Sequence, residues 1–316
     1  MAQFIVRRLQ TLIPVIVLVS MLSFSLILLL PGDPAMMMLG EQNLTDRTAY
    51  LALRAELGLD KPIPLQYLDW ATRALQGNLG SSLRDHLPIG LEITSHLFPT
   101  VELSILAMIF ALIIAIPAGT LSALKPGSLL DHVATVIALS GVAVPSFFLG
   151  ILLIYIFSLG LRLIPPSGYV SPLESLGGNL RLMILPAFAL GSAHAAVLTR
   201  QIRSALIEVL QQEYIMTARS KGLTEAAVVI GHAFRNALVP VVTIIGLQVG
   251  TLIGGAVVIE TVFSIPGMGR LIVDSIFQRD FPTVQAAVLI LALSVLLANL
   301  LTDVLYAYID PRIRYG

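Results

Sequence analysis

Six apolar stretches dominate this chain, near 9–30, 101–123, 133–158, 182–200, 237–259 and 284–308. Each approaches or exceeds the roughly 20 residues needed to cross a hydrocarbon core about 30 Å thick. A backbone inside lipid has to satisfy its own N–H and C=O groups, so runs of this length read as helices. Composition agrees: 56% of the 316 residues are hydrophobic and 12% are charged, against about 25% charged in a soluble domain. The expected fold class is an all-α polytopic membrane protein with six transmembrane helices.

Orientation follows from the basic residues. With the N-terminus in the cytoplasm, the inner loops hold Arg7, Arg8, Lys125, Arg200, Arg203, Arg219, Lys221, Arg235, Arg312 and Arg314. Five of the nine remaining basic residues fall in the 31–98 segment, and a segment that long crosses largely regardless of charge. Both termini are therefore expected in the cytoplasm. The first apolar run is longer than a signal-peptide core and ends at Pro31-Gly32-Asp33-Pro34 rather than at a small-residue cleavage site. It reads as a retained signal anchor over 1–30, followed by an extracytoplasmic segment over 31–99 and a core membrane domain over 100–316. In the exported segment, short helical patterns run to Leu57, stopped by Gly58, and from Ile63 to Leu75, ending before Gly77. The second carries Trp70, the one tryptophan of the chain, whose ring suits packing on the membrane or within a small lid more than direct solute contact.

Several chemistries are excluded. None of the three lysines, Lys61, Lys125 and Lys221, follows a glycine, so no phosphate-cradling Gly-Lys-Ser/Thr loop exists. Zero cysteines rule out thiolate chemistry, and the five histidines are dispersed without metal-ligand spacing. A gradient-driven transporter, or a channel, is the rival of a different class. Ion coupling calls for an ionisable group at membrane depth, where a charge costs about 3 kcal/mol and persists for function. No acid lies in the middle of any apolar run; Glu260 and Asp303 fall near the ends of theirs.

Between Arg200 and Asn236 a polar interval breaks the apolar pattern, reading Glu213-Tyr-Ile-Met-Thr-Ala-Arg-Ser-Lys-Gly222-Leu223, then His232-Ala-Phe-Arg235-Asn236. Helix formers broken at Gly222, with a second helix capped at Thr224, predict two short helices joined at a glycine. Such an element suits a groove on a partner, and its mixture of Arg and apolar positions also suits an amphipathic helix on lipid. The string resembles the cytoplasmic coupling loop, or EAA loop, of ABC-importer permeases in its dipeptide, oligopeptide and nickel version: Thr217-Ala218-Arg219, Lys221-Gly222-Leu223, His232 and Arg235-Asn236-Ala237. It departs from the general pattern in having Met216-Thr217 where Glu-Ala is expected. Further family-like pieces follow along the chain: Arg7-Arg8-Leu9, Pro31-Gly32-Asp33-Pro34, Gly58-Leu59-Asp60-Lys61-Pro62, Leu79-Gly80-Ser81-Ser82, Pro145-Ser146-Phe147, Ile184-Leu185-Pro186, Gly254-Gly255-Ala256-Val257, Glu260-Thr261-Val262-Phe263, Pro266-Gly267-Met268-Gly269-Arg270, Arg279-Asp280-Phe281-Pro282 and Asp310-Pro311-Arg312-Ile313-Arg314.

The resemblance implies a type I ABC importer permease fold in a bacterial inner membrane. It implies as partners a paralogous permease subunit, two ATP-binding subunits and an extracytoplasmic solute-binding protein, with no nucleic acid. The chain would be the first permease of the pair, holding no cofactor or metal itself, with ATP and Mg on the partner ATPases. Solutes across the family are short peptides, with nickel chelates and other small solutes as alternatives; short peptides are favoured here. ATPase coupling would fall to Glu213, Thr217, Ala218, Arg219, Lys221, Gly222, Leu223, His232, Arg235 and Asn236, the basic side chains capping a helix end or pairing with acids of the partner. Pore-lining candidates are Gly254, Gly255, Gln248, Ser146 and His194, polar or small residues within apolar runs that equally serve helix packing. Glu260, Phe263, Pro266, Gly267 and Arg270 form a candidate outer gate or binding-protein contact. There an exposed ion pair from Glu260 to Arg270 or Arg279 would contribute at most about 1 kcal/mol.

Overall fold

The computed structural model describes residues 2–28, 47–56 and 58–309. The expectations for Pro31-Gly32-Asp33-Pro34, for Leu57 and for Asp310-Pro311-Arg312-Ile313-Arg314 lie outside the described residues. Among the described residues the regular structure is helical, apart from one isolated antiparallel bridge between Ser81 and Pro88. In chain order the helices are α1 (Ala2–Leu28), α2 (Arg47–Glu56), α3 (Ile63–Leu75), α4 (Ile89–Leu124), α5 (Leu129–Ala143), α6 (Ser146–Leu153), α7 (Leu176–Leu210), α8 (Glu213–Ser220), α9 (Glu225–Ala227), α10 (Phe234–Phe263), α11 (Met268–Phe277) and α12 (Phe281–Ile309). Wider π-helical turns follow α6 over Ile154–Gly160 and α9 over Val228–Ala233.

Among the described residues, five stretches are long and apolar enough to cross a membrane: Val6–Leu26, Ile89–Leu124, Leu176–Leu210, Pro240–Phe263 and Phe281–Val304. The third expected span is not one continuous helix, because Leu129–Ala143 and Ser146–Gly160 meet at 101°. Pro145 explains the break. It offers no N–H to the preceding turn, and its ring disfavours helical geometry in the residue before it. Val144 accordingly sits at φ −86°, ψ 120°. With the bent pair taken as one span, the six expected crossings are all present.

The chain divides into two compact units. The unit holding Phe98–Arg270 and Val295–Gly316 is built around α7. In α7, 61% of the apolar stretch is buried, against 33% of that in α10, which makes α7 the central helix. One core cluster joins Leu103 and Ala107 of α4, Met183 and Leu190 of α7, and Leu252, Ile259 and Phe263 of α10. A second joins Ala111 and Ala115 to Leu198, Ile202 and Leu206 of α7 and continues into Ile215, Val228 and Ala233. Glycine permits the closest helix crossing: a β-carbon on Gly191 would stand 2.4 Å from the Ala107 carbonyl oxygen, the small-residue contact by which membrane helices approach. Ser128 caps α5, and within its first turn Asp131 pairs with Arg203 of α7 through Nε–Oδ1 (2.6 Å) and Nη2–Oδ2 (2.8 Å). The Gly127 N–H donates to the same carboxylate at 2.9 Å.

The other unit holds Arg7–Leu97 and Leu271–Ser294. Gly58 (φ +70°) and Gly77 (φ +81°) end α2 and α3 in the left-handed conformation that closes a helix, as the sequence predicts. Phe24 of α1 packs against Tyr67 and Trp70 of α3, with ring centroids 5.7 and 5.8 Å away. Ser23 donates to the Gln285 carbonyl at 2.7 Å. Asp280, buried at the start of α12, accepts from Ser82 Oγ (2.6 Å), Leu83 N–H (3.1 Å) and Thr283 Oγ1 (2.8 Å). Two pieces of the sequence pattern, Leu79-Gly80-Ser81-Ser82 and Arg279-Asp280-Phe281-Pro282, are thus the two halves of one latch.

Candidate functional site

The polar interval after α7 folds as a short helix, a left-handed turn and a second helical turn. Gln211 and Gln212 end α7, and α8 begins at Glu213. Gly222 sits at φ +79° and donates its N–H to the Arg219 carbonyl at 2.9 Å. Glycine suits this turn because a β-carbon would strain the left-handed backbone. Thr224 then caps α9, accepting the Ala227 N–H at 3.4 Å. The second helix of the interval is one α-turn that widens into the π segment and runs on into α10, rather than standing alone.

Burial splits this element in two. Ile215, Ala218, Val228, Ala233 and Ala237 are buried in the same cluster as Leu198, Ile202 and Leu206 of α7. The other side is exposed: Met216 (61%), Leu223 (41%) and Ile230 (74%) stand open with Ala226 and Ala227. Thr217, Lys221, His232 and Arg235 share the exposed side. Apolar side chains ringed by basic and polar ones are the composition of a docking surface. Two expected members take other parts. Ala218 is buried against the helices of its own chain, where it anchors the element. Arg219 reaches across the glycine turn to Glu225, Nη2–Oε1 2.5 Å and Nε–Oε2 3.1 Å. The ion pair expected with a partner is made inside the chain, and the guanidinium holds the Glu225 carboxyl below its ordinary range. Glu213 is exposed at the first turn of α8, and its carbonyl accepts from Thr217 Oγ1 at 3.1 Å. Asn236 donates from Nδ2 to the Tyr214 hydroxyl at 2.8 Å, tying the start of α10 to the start of α8. Met216, Ala226, Ala227 and Ile230 are further members of this face that the family-like string does not single out; for Ile230, the π segment shifts the phase of side chains beyond Val228.

The 260–270 region is a buried node, where the sequence alone predicts an exposed one. Glu260 has no exposed surface. Its Oε1 accepts from Thr100 Oγ1 at 2.6 Å, and its Oε2 accepts the backbone N–H groups of Gly269 (2.8 Å) and Arg270 (3.1 Å) at the start of α11. Thr100 Oγ1 in turn accepts the Met268 N–H at 2.8 Å. A carboxylate at a helix N-terminus meets unsatisfied N–H groups and the positive end of the macrodipole. Gly267 passes so close that a β-carbon there would lie 2.2 Å from the Glu260 carboxyl carbon. Phe263 is buried, its ring against Gly150, and its carbonyl accepts the Gly168 N–H at 3.0 Å. Beside it Tyr169 donates to Glu102 Oε2 at 2.7 Å, and burial pushes the Tyr169 phenol up. Pro266 is half-buried. Thr100 is the member of this node that the sequence alone does not single out.

Of the pore candidates, His194 and Gln248 meet each other, Nδ1 to Oε1 2.5 Å, between α7 and α10. Gln248 is buried, and Ser146 is half-buried at the start of α6. Gly255 is half-buried against Leu190, whereas a β-carbon on Gly254 would meet nothing within 4 Å. Gly254 belongs to an open stripe of α10 with Leu247, Thr251, Val258 and Thr261. His194 and Gln248 therefore bridge α7 and α10, while the exposed stripe of α10 is lined by glycine, threonine and apolar residues. Among the described residues no cluster of His, Asp or Glu has metal-holding geometry.

Comparison with known proteins places this architecture. Residues 115–315 match the binding-protein-dependent transport system inner membrane component family, and residues 1–86 match the N-terminal component of the same membrane proteins. The dipeptide transport system permease protein of Escherichia coli (strain K12) is 43% identical over 100% of this chain and 99% of its own length. The glutathione transport system permease protein of Pectobacterium atrosepticum is 43% identical over 100% of both chains. Among solved structures, a chain of the inward-facing MetNI methionine ABC transporter aligns with a TM-score of 0.58 at 17% identity. The alignment covers 70% of this chain and 97% of that one, a likeness of fold. With both regions matched and its relatives aligned from end to end, the chain belongs to the binding-protein-dependent transport system inner membrane component family, the multi-pass permease subunits of ABC importers.

Proposed function

We propose that this chain forms half of the translocation pore of an ATP-driven importer of short peptides, paired with a paralogous permease. Two partner ATPases carry the ATP and Mg, and a solute-binding protein delivers the peptide. The substrate reading rests on relatives named for a dipeptide and for glutathione, itself a short peptide. The observation that carries the coupling reading is the divided burial of 213–237. One side is locked into the α7 core through Ile215, Ala218 and Val228, and the other presents Met216, Leu223 and Ile230.

A groove on an ATPase that grips the exposed side moves the buried side with it. Because the anchors pack on Leu198, Ile202 and Leu206 of α7, that displacement passes directly to the central helix of the unit. ATP binding then closes the inner ends of the spans and opens the outer mouth; hydrolysis reverses the change. A ligand shifts such an equilibrium only by its differential affinity for the two states, so the binding protein makes most of the choice of solute. This reading puts 213–237 and both termini in the cytoplasm, and the Glu260 node at the outer face. The permease supplies the lever and its partners supply the hydrolysis.

The test is purification of the chain from its native membranes in mild detergent, with mass spectrometry of what accompanies it. Recovery of ATP-binding subunits and a second permease is the expected outcome. A chain that stays alone under cross-linking contradicts the proposal.

A further inference from the structure

Helix α3 has two flanks that differ in what covers them. At 100° per residue, Tyr67, Trp70, Ala71 and Ala74 fall on one arc, and Tyr67 and Trp70 pack on Phe24 of α1. The adjoining arc carries Leu65 (49% exposed), Leu68 (55%) and Leu75 (90%). The far side is polar, with Gln66, Asp69, Arg73 and Gln76, and Lys61 pairs with Asp69 there. The helix is amphipathic in the ordinary sense, yet half of its apolar arc has no partner among the described residues.

The contacts of α3 seat it beside the first membrane-crossing stretch. The Tyr67 hydroxyl meets Ser20 Oγ at 2.8 Å. Ser20 lies six residues inside Leu26, the last residue of the first membrane-crossing stretch, which at 1.5 Å per residue is about 9 Å along the helix axis. Phe24 also lies within that stretch. A helix whose side chains reach residues at hydrocarbon depth runs beside the acyl chains, not above them in water. Tyr and Trp on the covered arc are the residue types enriched at membrane–water boundaries, where an apolar ring and a polar tip are both accommodated.

We propose that α3 is an interfacial anchor, lying at the outer boundary of the bilayer with Leu65, Leu68 and Leu75 in the acyl region and Asp69, Arg73 and Lys61 toward water. The occupant of the open flank is lipid. In this arrangement the exported segment is pinned to the membrane beside the first span, in the way that amphipathic helices lie in the plane of a bilayer surface.

The chain supplies its own probe, since Trp70 is its one tryptophan and it has no cysteine. The full chain is reconstituted in phosphatidylcholine–phosphatidylglycerol nanodiscs whose lipids are brominated near the headgroup end of the acyl chain. Expected are loss of most Trp70 emission and little additional quenching by iodide in the water. In parallel, nitroxide labels on the single-cysteine variants Leu68→Cys and Arg73→Cys are read for collision with oxygen and with a water-soluble nickel chelate. Leu68→Cys is expected to favour oxygen, and Arg73→Cys the chelate. If iodide quenches Trp70 while bromolipid does not, and Leu68→Cys favours the chelate, α3 stands in water and the anchor is refuted. If Leu68→Cys meets neither collider, protein covers the flank, and the lipid assignment is likewise overturned. Neither readout depends on the solute or on ATP, so failure here leaves the importer reading standing.

Discussion

Thr100 does two tasks with one hydroxyl, donating to Glu260 and accepting from the Met268 N–H. Both partners are buried, so Thr100→Val removes one hydrogen bond from the carboxylate and one from the amide at once, and a buried hydrogen bond left unmade costs about 1–3 kcal/mol. Thermal unfolding of the purified permease should show that loss, and Thr100→Ser should recover most of it. A Val variant that melts with the parent would mean the node contributes little. Gly267 gives a second, steric test. Its β-carbon has no space beside the Glu260 carboxyl, so Gly267→Ala should lower the melting temperature, while Gly254→Ala, which meets nothing, should leave it unchanged. The sequence marks Glu260 and Gly267 as members of one pattern. It does not link them to Thr100, which is 160 positions from Glu260 in the chain and carries no local signal of the pairing.

At the level of elements, the Asp131–Arg203 pair fastens the start of α5 to α7, a contact between positions 72 apart that no local pattern reveals. The Asp131 side chain is 6% exposed and that of Arg203 33%, so Asp131→Ala leaves a half-buried guanidinium unpaired. We expect destabilisation of about 1–3 kcal/mol by thermal melting. Arg203→Lys, with Asp131 kept, should recover little of the contact, because an ammonium does not reproduce the two-point geometry. The break at Val144-Pro145 is equally hidden: an apolar run is continuous in composition whether or not its helix bends, and here only the proline carries the signal. The spans themselves are legible, since length and hydropathy decide them. In the 213–237 element the glycine turn and the Thr224 cap are legible too, whereas the burial of Ala218 depends on long-range packing against α7 and the exposure of Ile230 on a π segment that the sequence does not announce. Ile215→Ala should destabilise by about 2–5 kcal/mol, the cost of emptying a core site, while Ile230→Ala should leave melting within about 0.5 kcal/mol and weaken recovery of the ATPase. The Arg219–Glu225 pair has a pH signature. Its depressed Glu225 pKa means the pair stabilises the turn above the ordinary glutamate range of about 4.3 and loses that contribution as pH falls through the lower folded value. Exposure keeps the effect small, about 0.2–1 kcal/mol. Amide exchange across Gly222 and Leu223 should rise relative to Glu225→Gln controls as that window is entered, and parallel behaviour of the two would set the pair aside.

At the scale of the whole molecule, one chain combines a core of membrane-crossing helices with the divided 213–237 element, which the proposed function makes its lever. The core is closed by small-residue crossings such as Gly191 on Ala107 and Gly119 on Thr199, which transmit displacement because packed interiors deform little. The most direct measurement is on Gly222, where the φ of +79° and the open surroundings separate backbone strain from any steric clash. The complete transporter, with Gly222→Leu or Gly222→Asn in this chain, is reconstituted into vesicles, and ATP hydrolysis and dipeptide uptake are followed together. Asparagine tolerates the left-handed turn and leucine does not. The account predicts that the leucine variant stays folded and its ATPases still hydrolyse ATP, while uptake is lost, and that the asparagine variant retains uptake. Uptake at the parental rate by the folded leucine variant would contradict the claim that this loop couples hydrolysis to transport.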